Sequence, residues 1–266
     1  MGASVLSPAH VLAVAPFTLG NVVRWFTTGA HWSGSGGVPH RVLEHVEMSL
    51  AALVTATVVG LPIGLYVGHR RRGANFAINV ANVGRAIPSF ALLVVGFELL
   101  KGVTLFGLGA LPAYIALTAL AVPPIVLNCV VGIVGIDAEA RDAAVGMGMT
   151  GGQVLRRVEI PMSIPLIMAG IRIAGVQVVA TATLAAVVGW GGLGTFITTG
   201  LATQDYVELF AGALLVAGLS LLTEVALAAL QRALTPRGLR MPPIGEKVSG
   251  IDGVADVAED EVAAAA

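Results

Sequence analysis

The sequence of 266 residues is poor in charge, in aromatic rings, in lysine and in cysteine. Asp, Glu, Lys and Arg make up 12% of it, where a soluble domain carries about 25%. So little charge excludes an ordinary water-soluble enzyme and a disordered chain. The formal net charge of -1, from 15 basic and 16 acidic residues, excludes a basic nucleic-acid binder. The single Cys129 lies in an apolar run and has no partner for an internal disulfide, so it reads as a small buried hydrophobe. The only lysines are Lys101 and Lys247, and neither stands in the Gly-x4-Gly-Lys-Ser/Thr loop that cradles phosphates. The chain therefore lacks the usual device for binding ATP. Its five His residues, between positions 10 and 69, show neither metal-ligand spacing nor a Ser/His/Asp arrangement. No catalytic residue, metal or cofactor of its own is expected.

What is present is apolar and small. Hydrophobic residues reach 56%, and there are 34 glycines. Small residues let transmembrane helices approach closely, so the expected fold is all-α and polytopic. Charges are costly at the bilayer centre, so charge-free runs of about 20 residues locate the spans. Residues 48–68 form a first span, closed by His69, Arg70, Arg71 and Arg72. Residues 73–97 hold only Arg85 and are expected to kink or break near Pro88. Residues 111–134 form the third span, after an outer turn at 107–109. Residues 160–188 form the fourth, holding Arg172, and a Gly-rich outer segment follows at 189–204. Residues 207–230 form the fifth, with Glu208 near its start and Glu224 near its end.

Arg70–Arg72, then Arg141, Arg156 and Arg157, then Arg232, Arg237 and Arg240 fall in alternate connections. The positive-inside rule makes that side the cytoplasm and puts the C-terminus there. Residues 11–26, interrupted by Pro16, Asn21 and Arg24, are read as an interfacial helix, with a sixth span as the alternative. The expected organisation is an N-terminal segment 1–44, a membrane domain 45–235 and an acidic, disordered cytoplasmic tail 236–266.

The longest cytoplasmic connection, 137–161, carries the most information. Asp137 suits a helix N-cap, and Glu139 suits its first turn. Ala140, Ala143 and Ala144 give the helix a small face; Gly146, Gly148, Gly151 and Gly152 are expected to break it. A second short helix over 153–158 is expected before Pro161 opens the next span. Asp142, Ala143 and Ala144 are followed, after three residues, by Gly148, and after nine more by Val158, Glu159, Ile160 and Pro161. This run resembles the cytoplasmic signature of permease subunits of type I, binding-protein-dependent ABC importers: Glu-Ala-Ala, three residues, Gly, nine residues, Ile-x-Leu-Pro. Every spacing matches; Asp142, Val158 and Ile160 are conservative replacements.

The resemblance implies a core of five transmembrane helices, agreeing with the spans above. It also implies that Asp142, Ala143, Ala144, Gly148, Val158, Ile160 and Pro161 couple the chain to a cytoplasmic ATPase that binds ATP-Mg. A second permease subunit, identical or paralogous, and an extracytoplasmic substrate-binding protein are implied as further partners, together with membrane lipid. No nucleic acid is expected.

Residues 180–194, with Gly191, Gly192 and Gly194, and the stretch that follows to Gly200 resemble the Gly-Gly-Leu-Gly segment of osmoprotectant permeases for glycine betaine, choline or carnitine. Ile87-Pro88-Ser89 and 169–172 fit the same subfamily, and the resemblance spans roughly residues 45–232. Methionine permeases share a similar Gly-Leu-Gly segment. An importer for methionine or another small amine or amino acid therefore stays open, as does an ion-coupled secondary transporter. Trp25, Trp32, Trp190, Tyr66, Tyr114 and Tyr206 are too few and scattered to enclose a quaternary ammonium. The selective site is therefore expected on the binding protein.

Intramembrane charges are functional candidates by default. Arg85 and Arg172 each lie about 15 Å from the cytoplasmic ends of their spans, and Glu224 about 10 Å, at 1.5 Å per residue. An ion pair of Glu224 with either Arg is expected to be possible. Arg85, Pro88, Arg172, Glu224, Gly191, Gly192 and Gly194 are the candidates for the translocation path or its gates. Gly60, Gly64 and Gly68 form a stripe on one face of the first span, suited to close helix packing.

Overall fold

The computed structural model describes residues 17–100, 110–236 and 238, without the side chains of Arg85, Leu100 and Ala110. By internal contacts the chain divides into units 1–235 and 236–266, and every helix belongs to the first. The expected outer turn at 107–109, Lys101 and all but two residues of the tail lie outside the described residues. Among the described residues there is no strand.

The elements follow the charge-free runs. Helix α1 (Leu19–Thr27) is capped by Thr18, whose hydroxyl accepts from the Asn21 N–H. Helix α2 (Val38–Arg70) has a proline in its first turn and stops at Arg71, which takes a left-handed conformation with φ 53°. Helices α3 (Ala74–Ala86) and α4 (Ser89–Leu100) are the two halves of a broken span, bent by 82° at Pro88. Proline has no N–H to continue a helix and disfavours helical geometry in the residue before it. Helix α5 (Ala110–Val134) follows, then α6 (Ala138–Gly146) and α7 (Gly151–Val154). A π-helical turn (Leu155–Glu159) leads without interruption into α8 (Ile160–Thr181), and a 3-10 segment (Ala182–Val188) extends it. Helix α9 (Gly194–Thr203) and helix α10 (Tyr206–Leu234) complete the order. Four helical stretches are long and apolar enough to cross a bilayer, and the bent pair, counted as one span, makes a fifth.

Helix α5 is the centre of the packing. The Gly60–Gly64–Gly68 stripe of α2 lies on it: a Cβ at Gly64 would stand 2.6 Å from Cys129 Cβ, and one at Gly68 2.9 Å from Ile133 Cβ. The two helices run parallel, because the broken span returns the chain between them. On its other side α5 meets α8 antiparallel, with Gly132 against Ser163 and Gly170 against Asn128. In a bilayer lipid is as apolar as leucine, so this contact between small residues, rather than a hydrophobic driving force, holds the helices. Helix α10 packs antiparallel on α8 and is the least enclosed of the long helices.

Two places differ from the sequence expectation. Gly151 and Gly152 do not break the chain but open α7, because the Gln153 side-chain oxygen accepts the Thr150 N–H at 2.8 Å. Nor is 153–158 a separate helix ending before Pro161. The wider π turn, in which the Ile160 N–H bonds Leu155 O, lets the helix run on past a residue that has no N–H. The Gly-rich outer segment also contains a helix, α9.

Candidate functional site

The bundle has two ends of different chemistry. One gathers the C-terminal ends of α2, α5 and α10 with α6, α7 and the start of α8, and it holds the Arg-rich connections. The other gathers α1, the start of α2, the end of α8, α9 and the start of α10, and it holds the Gly-rich segment.

At the basic end, α6 is built by its caps. Asp137 accepts the Glu139 N–H at 3.0 Å, and Glu139 adds negative charge to the first turn. Gly148 takes φ +83°, the Gly148 N–H bonds Val145 O, and the Met149 N–H bonds Ala144 O. This is a Schellman stop, which needs a left-handed residue where any side chain but hydrogen is strained. The motif glycine thus has a local cause: it turns the chain out of α6. Ala144 is buried, whereas Asp142, Ala143, Val145 and Met147 are exposed. Val158, Ile160 and Pro161 are partly buried where the helix enters the bundle. Three of the seven motif residues therefore stand on the presented helix, Gly148 in the link after it, and three on the seated π turn and α8.

Glu159, at the one unspecified position of the last motif quartet, is buried. His69 Nδ1, near the end of α2, lies 2.5 Å from its Oε2, and Arg141 Nε, on α6, lies 3.1 Å from its Oε1. The Arg141 guanidinium also donates to His69 O at 3.4 Å.

At the Gly-rich end, Gly189, Gly191 and Gly192 all have positive φ. A Cβ at Gly191 would stand 2.6 Å from the Glu44 carboxylate, and one at Gly194 2.1 Å from Thr183 O. Glu44 Oε2 accepts the Gly192 N–H at 2.9 Å and Arg41 Nη1 at 2.9 Å, and His40 Nε2 lies 3.3 Å from Oε1. The next residue, His45, is buried beneath Gly192 and donates from Nε2 to Val179 O at 2.8 Å. Neither Glu44 nor His45 stood out in the sequence; the spacing of His40, Arg41 and Glu44 on one helix face was the available signal. Trp25 is buried against Phe196 with ring centroids 5.4 Å apart, so it lines no open cage.

Between the two ends, the structure brings Arg172 and Glu224 together: Arg172 Nε lies 3.0 Å from Glu224 Oε1. Arg172 Nη1 also donates to Gln231 Oε1 at 2.9 Å, and Gln231 Nε2 donates to Pro165 O at 3.0 Å. The pair ties α8 to α10 and cancels the cation. Arg85 lies one residue before the end of α3, and its side chain is outside the described residues. Pro88 is exposed at the break.

Charge-poor helices around a small-residue seam, with a capped helix presented at the basic end, define a multi-pass membrane subunit. The family model described as "Binding-protein-dependent transport system inner membrane component" matches residues 60–238, and the chain belongs to that family. The glycine betaine/carnitine/choline transport system permease protein OpuCB of Bacillus subtilis is 36% identical over 208 residues, covering 78% of this chain and 93% of that protein. The carnitine transport permease protein OpuCB of Listeria monocytogenes is 41% identical, covering 74% and 88%. The osmoprotectant import permease protein OsmW of Salmonella typhimurium is 34% identical, covering 77% and 95%. Among solved structures, the inward-facing MetNI methionine ABC transporter matches with a TM-score of 0.64 at 24% identity, over 75% of this chain and 96% of that one, a likeness of fold.

Proposed function

We propose that this chain is the membrane-spanning permease subunit of an ATP-driven importer for a quaternary-ammonium osmoprotectant such as glycine betaine, choline or carnitine. The observation that carries the machinery is α6: a helix presented beside the bundle, closed by Gly148, with the apolar Val145 exposed on it and Met147 exposed at its C-cap. Exposed apolar residues on a short helix suit a cleft on a partner. The partner is an ABC ATPase, which binds ATP-Mg; Asp142, Ala143, Ala144, Gly148, Val158, Ile160 and Pro161 couple the chain to it, the exposed Asp142, Ala143 and Gly148 by direct contact. The substrate class rests on the relatives' names.

Two permeases form the passage. The Bacillus proteins named OpuCB and OpuCD both resemble this chain, which favours a paralogous partner, with an identical one as the alternative. A separate extracytoplasmic binding protein delivers substrate to the Gly-rich end. The basic end faces the cytoplasm by the positive-inside rule, which places the C-terminus there too. Helix α1, nine residues and so about 14 Å long, falls short of the hydrocarbon core, which supports an interfacial position for the N-terminal segment.

Substrate cation and protein charge are compatible on this reading. Arg172, the intramembrane cation with a described side chain, is neutralised by Glu224, so a positively charged substrate meets no bare guanidinium there. Closure of the ATPases on ATP moves α6 and switches the opening of the passage between its two ends. Arg85, Pro88, Arg172 and Glu224, with Gly191, Gly192 and Gly194, border that path or its gates.

The test is uptake of radiolabelled glycine betaine into proteoliposomes holding this chain, its ATPase and its binding protein. Uptake that requires internal ATP and is outcompeted by choline or carnitine, but not by methionine, is expected. Uptake that follows an ion gradient without ATP would overturn the machinery, and competition by methionine alone would overturn the substrate.

A further inference from the structure

Glu159 occupies the position that the coupling signature leaves unspecified, yet it is the one carboxylate among the described residues that is buried, 1% exposed. Taking a carboxylate out of water is unfavourable unless it is paired and hydrogen-bonded. A polar residue that merely linked two helices would be better placed in solvent. Its partners come from two other elements: His69 from the end of α2, and Arg141 from α6. Arginine is always a cation and a carboxylate facing it is an acceptor, so His69 Nδ1 carries the hydrogen and donates it. The Arg141 donation to His69 O closes a triangle of three residues, each on a different element. The π turn ends on Glu159, and such turns concentrate at functional positions.

The connections around this triangle are weak. Helix α6 is joined to α5 by residues 135–137 and to α7 by residues 147–150, and neither link is helical. Gly148, in the second link, has no atom within 4 Å of where a Cβ would stand. Pushed from outside, α6 would swing on these links and leave the spans where they are. The His69–Glu159–Arg141 triangle is what fastens it to α2. Through Gly60, Gly64 and Gly68, α2 is in turn seated on α5.

We propose that Glu159 is a positioning residue for transport: it locks the coupling helix to the end of α2, so that displacement of α6 is carried into the α2–α5 pair. This rests on α6 being the helix that docks on the ATPase. Loss of the lock leaves ATP hydrolysis running while transport lags behind it.

The measurement is the number of substrate molecules imported per ATP hydrolysed, in proteoliposomes holding the complete transporter with radiolabelled glycine betaine. His69→Leu removes the donor, whereas His69→Asn keeps an N–H near the position of Nδ1. Import per ATP is expected to fall at least about tenfold in H69L and to stay within about twofold of the unaltered protein in H69N, the difference being one charge-assisted hydrogen bond. An unchanged ratio in H69L, or an equal loss in both variants, would overturn the lock. If H69L fails to reach the membrane folded, Arg141→Leu against Arg141→Lys gives the same contrast, donor lost against donor kept, and is judged by the same ratio. Docking is read separately, by cross-linking Asp142→Cys to the ATPase. No cross-link overturns the docking assignment and the lock with it; a cross-link with an unchanged ratio overturns the lock alone.

Discussion

The carboxylates of Glu159 and Glu44 sit at opposite ends of the same bundle and are held in opposite ways. Glu159 is buried and gripped by the side chains of two other elements, His69 of α2 and Arg141 of α6. Glu44 is one-fifth exposed and gripped by its own helix neighbours, Arg41 and His40; its one long-range bond goes to a backbone N–H, that of Gly192. Bonds between side chains fix helices relative to one another, so such a link passes on displacement. A bond to a backbone amide fixes the shape of a loop, and it can open without disturbing the helix that carries it. On the proposed lock, the basic end transmits, whereas the Gly-rich end holds the shape of a turn.

The largest effect that would break this contrast concerns Gly148. Gly148→Trp forces a bulky side chain into a left-handed position and onto the docking face, and uptake is expected to drop by about a hundredfold or more. Membrane insertion, followed in the membrane fraction, should be unchanged. Uptake that survives with the ATPase still bound would remove α6 from the mechanism.

Next comes Gly194→Val, whose Cβ would stand 2.1 Å from Thr183 O. Thermal unfolding in detergent should show a loss of about 3 kcal/mol from overpacking, while Asp142→Cys in the same chain still cross-links to the ATPase. Loss of that cross-link would mean that the two ends are not separable.

The direct comparison is Glu159→Gln against Glu44→Gln. Breaking the buried pair is expected to cost about 3 kcal/mol, and the half-wet one about 1 kcal/mol, both read from thermal unfolding. Equal losses would erase the distinction. The smallest effect is expected for Glu224→Gln, because Arg172 and Glu224 are each more than a third exposed in the described chain. A loss of about 0.5 kcal/mol fits a pair that ties α8 to α10, and a loss several times larger would make it a principal strut of the bundle.

Much of this arrangement was legible in the chain itself. Charge-free runs gave the spans because the bilayer punishes charge in the same way wherever it falls in the sequence. The break at Pro88 followed from covalent geometry, and depth allowed Glu224 to pair with Arg85 or Arg172 without choosing between them. That the Gly60–Gly64–Gly68 stripe makes a close helix contact followed from spacing, although its partner and its place inside the subunit did not. The continuous helix over 151–181 was hidden, because two glycines and a proline are breakers by intrinsic preference. Thr150 with Gln153 and the π turn override that preference locally. Glu159 and Glu44 were hidden for another reason. His69 stands 90 residues from Glu159 and Gly192 stands 148 from Glu44, so the local His40–Arg41–Glu44 spacing was all the sequence offered of either contact.

The π turn at Leu155–Glu159 also bears on how such chains vary. A π turn holds one residue more than a regular helix needs, so everything before it is rotated by about 100° relative to everything after it. Deleting a single residue from this turn would leave a regular α-helix and change the composition by one residue only. It would also turn Thr150 and the helix start away from their present face, and with them the link to α6, so Arg141 would be re-aimed while Glu159, Ile160 and Pro161 kept their seats. Here the reading frame of the helix, rather than the identity of any one residue, is what descendants of this sequence have to preserve.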